Sequence, residues 1–171
     1  HRSGQAGQAG EVPQVDPNDH VNRGQSSNDV IPTTIHASAA VAIDRELRPA
    51  LKTLARTIRD KAAEVGASVK PGRTHLMDAL PVTFGLKLAG TLDALLRWQV
   101  RLREMRSRVL ALQFGGAAGT LDSLKTQAPR IAGALAKTLD LQLPDAPWHS
   151  QRDRLLEVGA WYAGVCGTLG K

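Results

Sequence analysis

Three polar clusters hold the side chains that could do chemistry. They are "PNDHVNRGQSSNDVIPT" at 17–33, "GRTHLMD" at 72–78 and "PWHSQRDR" at 147–154. In the first, Ser26, Ser27, Asn28 and Asp29 stand in a row just before a long apolar-periodic segment. A helix start offers unpaired N–H groups and partial positive charge, which suits a carboxylate or phosphate. Ser26, Ser27, Asn28 and Thr33 would add side-chain donors. Arg73 and Arg152 could each grip a carboxylate through two parallel hydrogen bonds. His75 is the best proton-transfer candidate by residue type, and His149 the second.

Each of these residues also has an ordinary job open to it. Ser-Ser-Asn-Asp serves equally as helix capping, and Thr74 as a turn cap. "SQRD" fits a capping box about as well as a binding site. A lone loop histidine is more often structural or merely exposed than catalytic. "FGGAAGT" lacks the Lys-Ser/Thr ending of a phosphate loop and the strand that precedes a dinucleotide turn. No Cys/His spacing suggests a metal and no motif suggests a cofactor, so none is expected.

The elements around the clusters are helical. Of the 171 residues, 42% are hydrophobic and only 4% aromatic, a balance that favours helix over strand. A first helix is expected to start between Asn28 and Pro32, with Pro32 in its first turn. Leu47, Leu51, Leu54, Ile58 and Val65 continue the stripe to about Gly66, with Pro49 kinking or dividing it. Residues 67–81 read as a long loop. A second long helix is expected from Pro81 to Leu112, about 45 Å in length. After a glycine-rich break at 113–122, a shorter helix is expected over 127–140, and a last one from Ser150. Helices this long need long partners to bury their seams, and one chain supplies only two, so an oligomeric bundle is expected.

The net charge is +6. Arg97, Arg101, Arg103, Arg106 and Arg108 lie on one predicted helix without aromatic interleaving. They read as a solvated or partner-facing helix face, with a nucleic-acid stripe as the weaker alternative. Cys166 is the single cysteine, which fits a reducing compartment. No apolar run is long enough for a membrane span, and "HRSGQAGQAGE" is no signal peptide. The expectation is a soluble, cytoplasmic protein with no membrane or nucleic-acid partner. Residues 1–15 read as a flexible segment, and 16–171 as one helical-bundle domain.

"PNDHVNRGQSSNDVIPTTIH" and "KPGRTHLMDALPVTFG" resemble the class II fumarase and aspartase branch of the fumarate lyase superfamily, over residues 16–90. "LPVTFGLKLAG", "LQFGGAAGTL" and "PWHSQRDR" through "TLGK", over residues 79–171, are more similar to 3-carboxy-cis,cis-muconate cycloisomerases and adenylosuccinate lyases of the same superfamily. The two halves thus point to different branches, as a fusion near 79–86 or a natural divergent relative would. The resemblance implies an all-α, long-helix bundle assembled as a homotetramer. Each active site would collect segments from three subunits and act on a small dicarboxylate by elimination or hydration.

By motif match, Ser26, Ser27, Asn28 and Thr74 would donate to the substrate carboxylate. His75 would be the acid/base residue or orient the water or leaving group, and Gln151 and Arg152 would contact substrate. Asn18 and Asp19 match a secondary anion site, although Asp16 stands where fumarases carry His. The signature "GSSxMPxKxN", which carries the serine thought to be the general base, is absent. So is a C-terminal domain, and the chain reads as a central segment. A missing base typically costs about 10²- to 10⁴-fold, so the isolated chain is expected to be inactive or weakly active. Cycloisomerase or adenylosuccinate-lyase-like chemistry is the alternative within enzymes. A self-associating helical fragment without turnover is the alternative outside them.

Overall fold

The computed structural model describes residues 14–171, apart from the side chain of Asn18. Most of the expected flexible segment, and that one member of the secondary anion site, therefore lie outside the description. Five α-helices and one β-hairpin follow a π-helical turn, Pro17–Val21. The helices are α1 (Ser27–Ala42), α2 (Arg48–Val65), α3 (Phe84–Val109), α4 (Ala128–Leu139) and α5 (Asp153–Leu169). The strands are β1 (Val69–Thr74) and β2 (Met77–Thr83).

The first expected helix is divided as Pro49 requires. A π-helical turn, Ile43–Leu47, separates α1 from α2, and Pro49 falls in the first turn of α2 where it needs no donor. Pro32 sits differently from expectation. α1 already begins at Ser27, so Pro32 lies in its second turn and cannot return an N–H to the Asn28 carbonyl. α5 begins at Asp153 rather than at Ser150, because Gln151 N–H closes a turn onto the Trp148 carbonyl at 2.9 Å.

The expected loop after α2 is a two-stranded antiparallel hairpin. It pairs Val69 with Thr83 at its base and Thr74 with Met77 at its tip, with a register shift beside Pro71. Its base is tied by Phe84 N–H to the Ser68 carbonyl at 2.8 Å and Gly85 N–H to the Gly66 carbonyl at 3.1 Å. β2 takes the residues expected to open the second long helix, so α3 starts at Phe84.

The chain forms two compact units. One comprises the described residues up to Ser38 together with Ser107–Leu155. Its core is Leu112, Ala132, Ala136 and Leu141, packed against Leu110, Phe114 and Leu135. In it, Leu112 N–H reaches the Gln142 carbonyl at 2.8 Å and Gln142 N–H the Leu110 carbonyl at 2.7 Å. The other unit comprises Ala39–Arg106 and Leu156–Lys171. Its buried residues include Leu51, Leu95, Leu102, Met105, Trp161 and Val165. There Trp98 Nε1–H donates to Thr168 Oγ1 at 2.7 Å and Trp161 Nε1–H to the Trp98 carbonyl at 3.0 Å. No helix among the described residues is long and apolar enough to cross a membrane.

Candidate functional site

The row of polar residues at the start of α1 divides into two roles. Ser27 and Asn28 are exposed and Ser26 half-buried, whereas Asp29 is 1% exposed. The Asp29 carboxylate accepts from Gln113 Nε2–H at 2.8 Å and from Gly115 N–H and Gly116 N–H at 2.7 Å each. Gly116 must be glycine: its φ is +70°, and a Cβ there would lie 3.0 Å from the Gly24 carbonyl oxygen. The glycine-rich break therefore does hold an anion on its backbone amides, and that anion is the chain's own carboxylate. Thr33 continues the seam, accepting from Gln113 N–H at 2.7 Å and donating to the Gln113 carbonyl at 3.1 Å. Thr33 is accordingly structural, not a ligand donor.

The same network reaches the third cluster. Trp148 N–H donates to Gln113 Oε1 at 2.5 Å, and Trp148 Nε1–H to the Leu112 carbonyl at 3.1 Å. Trp148 is buried and stacks on His36 with ring centroids 5.1 Å apart, and the Arg154 guanidinium lies 5.6 Å from the indole centroid. Gln151 and Arg152 follow in an exposed turn before α5. Within one unit, then, the Asp29–Gln113–Trp148 relay braces both the start of α1 and the turn that carries Gln151 and Arg152.

His36 escaped the sequence reading. It is 0% exposed, and neither ring nitrogen has a hydrogen-bond partner. Burial pushes its pKa below the ordinary value, against a smaller upward pull from the Val109 backbone, and the Arg154 guanidinium pushes it down further. Its place in "TTIHASA" offered no signal beyond a helical position.

Thr74 and His75 lie at the hairpin tip in the other unit, both exposed. His75 and Leu76 form the two-residue turn with φ of 49° and 61°, the left-handed region. That turn favours Asn-Gly or Gly-Gly, so His-Leu is a costly choice for the hairpin alone. Arg73 is exposed on β1, while His149 is half-buried in the turn after Trp148.

At the first π-helical turn, the Asp16 carboxylate accepts Asp19 N–H at 2.8 Å, and His20 Nδ1 accepts Asp16 N–H at 2.9 Å. The acid standing where the resemblance would put a histidine thus engages the Asp19 amide. On the arginine helix, Arg97 pairs with Asp93 and Arg106 with Asp44, and Arg101 lies 4.5 Å over Trp98. Those three are engaged within the chain rather than aligned as a free stripe.

The chain is thus a helical scaffold with polar residues at a helix start, a strained His-Leu turn and a Gln-Arg turn, and comparison with known proteins gives its family. The chain belongs to the Lyase family, whose profile matches residues 5–171, and is a member of the fumarate lyase superfamily. It is 46% identical to the 3-carboxy-cis,cis-muconate cycloisomerase of Pseudomonas aeruginosa, over 89% of this chain and 33% of that protein. It is 51% identical to a class II fumarate hydratase of the same organism, over 61% of this chain and 23% of that protein. Among solved structures, the 3-carboxy-cis,cis-muconate lactonizing enzyme of Pseudomonas putida superimposes with a TM-score of 0.81 at 44% identity, covering 86% of this chain and 33% of that one. The class II fumarase of Schistosoma mansoni gives 0.72 at 26% identity, covering 92% and 37%. The chain therefore spans about a third of the length of these relatives. The cycloisomerase likeness includes most of the half that resembles fumarase.

Proposed function

We propose that the chain is the carboxylate-gripping part of a lyase that adds or eliminates water across the double bond of a small dicarboxylate, of the malate and fumarate type. The observation that carries this reading is the withdrawal of Asp29. With its carboxylate held by three N–H donors, the start of α1 presents Ser26, Ser27 and Asn28 as neutral donors on a positive helix end. A repelling carboxylate there would oppose a dianion.

A proton beside a carboxylate is weakly acidic, so its removal builds a second negative charge on that carboxylate. Donors arranged in advance lower the barrier by meeting that charge. In this scheme Ser26, Ser27 and Asn28 of one copy and Thr74 of a second hold the substrate carboxylate, and Gln151 and Arg152 of a third contact the substrate. His75 moves a proton or orients the water. The general base comes from outside these residues. The costly His75–Leu76 turn supports a role for His75 beyond closing the hairpin.

Copies of the chain assemble in this scheme, as a homotetramer. Support comes from exposed Leu76, Met77 and Leu80 on the hairpin, and from Ile31 with Ile35 and Leu96 with Val100 at one-turn spacing. The single cysteine supports a reducing, cytoplasmic setting. The assay follows fumarate by absorbance with the chain and its His75→Ala variant. Weak turnover above the buffer blank should be lost in the variant, and measurable turnover left unchanged by the substitution would remove His75 from the mechanism.

A second reading, lactonising cycloisomerase chemistry on a carboxymuconate, is favoured by the 46% identity over 89% of the chain. Loss of diene absorbance from that substrate, with fumarate untouched, would select it.

A further inference from the structure

In the second unit, a hollow of about 320 Å³ opens between α2 and α3. Arg48 and Lys52, one turn apart on α2, line one side, and Arg103 and Arg106, about one turn apart on α3, line the other. Buried Leu51 and Leu102 form an apolar floor. Like charges at this spacing repel along each helix, and here two such rows share one cavity. The Asp44 carboxylate answers them, bonding Arg48 at 2.8 Å and Arg106 at 2.9 Å. Those two guanidinium groups hold the Asp44 carboxyl below its ordinary value. Among the described residues, neither Lys52 nor Arg103 forms an ion pair.

We propose that this hollow binds a small multivalent oxyanion of the phosphate or polycarboxylate class. Guanidinium forks suit such an anion in geometry as well as charge. Lys52 and Arg103 are exposed and Arg48 and Arg106 half-buried, so the cations ring the mouth above the apolar floor, where their attraction to a counter-ion is greatest at low salt. The volume admits the anion with some of its water. None of the lining residues belongs to the start of α1, the hairpin tip or the 149–152 turn, so the proposal stands apart from the lyase reading.

The same chemistry could come from a free ion or from an acidic side chain of a second copy; the proposal is the free ion. The test is calorimetric titration of the full chain with inorganic phosphate at low salt, beside the Lys52→Gln/Arg103→Gln variant. The expected result is saturable one-site binding that weakens at least about tenfold in the variant. In anion-free buffer the variant should melt at the same temperature or higher, because two mutually repelling cations are gone. Absence of saturation, equal affinity in the variant, or a lower melting temperature without phosphate would each overturn the site. Light scattering separates the two sources. An unchanged assembly mass in the variant supports the free ion. A reduced mass assigns the hollow to a carboxylate of a second copy and overturns the proposal.

Discussion

At the scale of single residues, Asp29 and His36 carry opposite lessons about burial. Asp29 is a buried charge with three good donors, so removing it strands the Gly115 and Gly116 amides and the Gln113 side chain. Asp29→Ala should cost about 3 kcal/mol in urea unfolding, and Asp29→Asn, which keeps one acceptor, less. His36 is buried with neither ring nitrogen hydrogen-bonded, so burial favours its neutral form. Below its ordinary value of 6.5 the unfolded chain takes up a proton that the folded chain refuses. Stability should therefore be full above that pH and fall as the pH drops through it, until the lower folded value is reached. His36→Phe, which keeps the stack on Trp148, should flatten the profile between about pH 7 and pH 5. Asp44, a carboxyl held low by Arg48 and Arg106, loses its contribution only in more acid solution, so the two windows separate. The sequence exposed the polar row at 26–29 but not its division of labour. The donors that claim Asp29 lie 84 to 87 positions along the chain, and backbone amides leave no mark on residue type.

At the scale of elements, helices were legible and the hairpin was not. Apolar spacing and the breakers Pro49, Gly66 and Pro129 locate all five helix regions, the first two as one stretch kinked or divided at Pro49, because helix period and proline geometry are local properties. Residues 69–83 show no alternation, since nearly all are exposed, and both strands carry a proline. Their turn also lacks the Asn-Gly signal. Replacing Leu76 by Gly should relieve the left-handed strain by about 1 kcal/mol and slow amide exchange across the Arg73–Asp78 pair about fivefold. In the second unit, α3 and α5 meet at Gly164, where a Cβ would run into the six-membered ring of Trp98. The indole is pinned by its bond to Thr168 and cannot swing away freely. Gly164→Ala should destabilise by about 2 kcal/mol, a melting-temperature loss of roughly 4–8 °C by thermal scan.

At the scale of the whole molecule, two features ask for partners: long helices with uncovered apolar residues, and a hairpin whose Leu76 is 100% exposed. Light scattering should give about four times the chain mass of 18.3 kDa, and a clean monomer at high concentration would count against assembly. In the proposed scheme one small dianion is held jointly by the start of α1 of one copy, the Thr74 and His75 hairpin tip of a second and the Gln151–Arg152 turn of a third. Fumarate titration followed by backbone amide chemical shifts tests it most directly. The Ser27, Asn28, His75 and Arg152 amides should shift together and saturate at one concentration. Saturating shifts confined to other residues, or independent titration of these three segments, would contradict it.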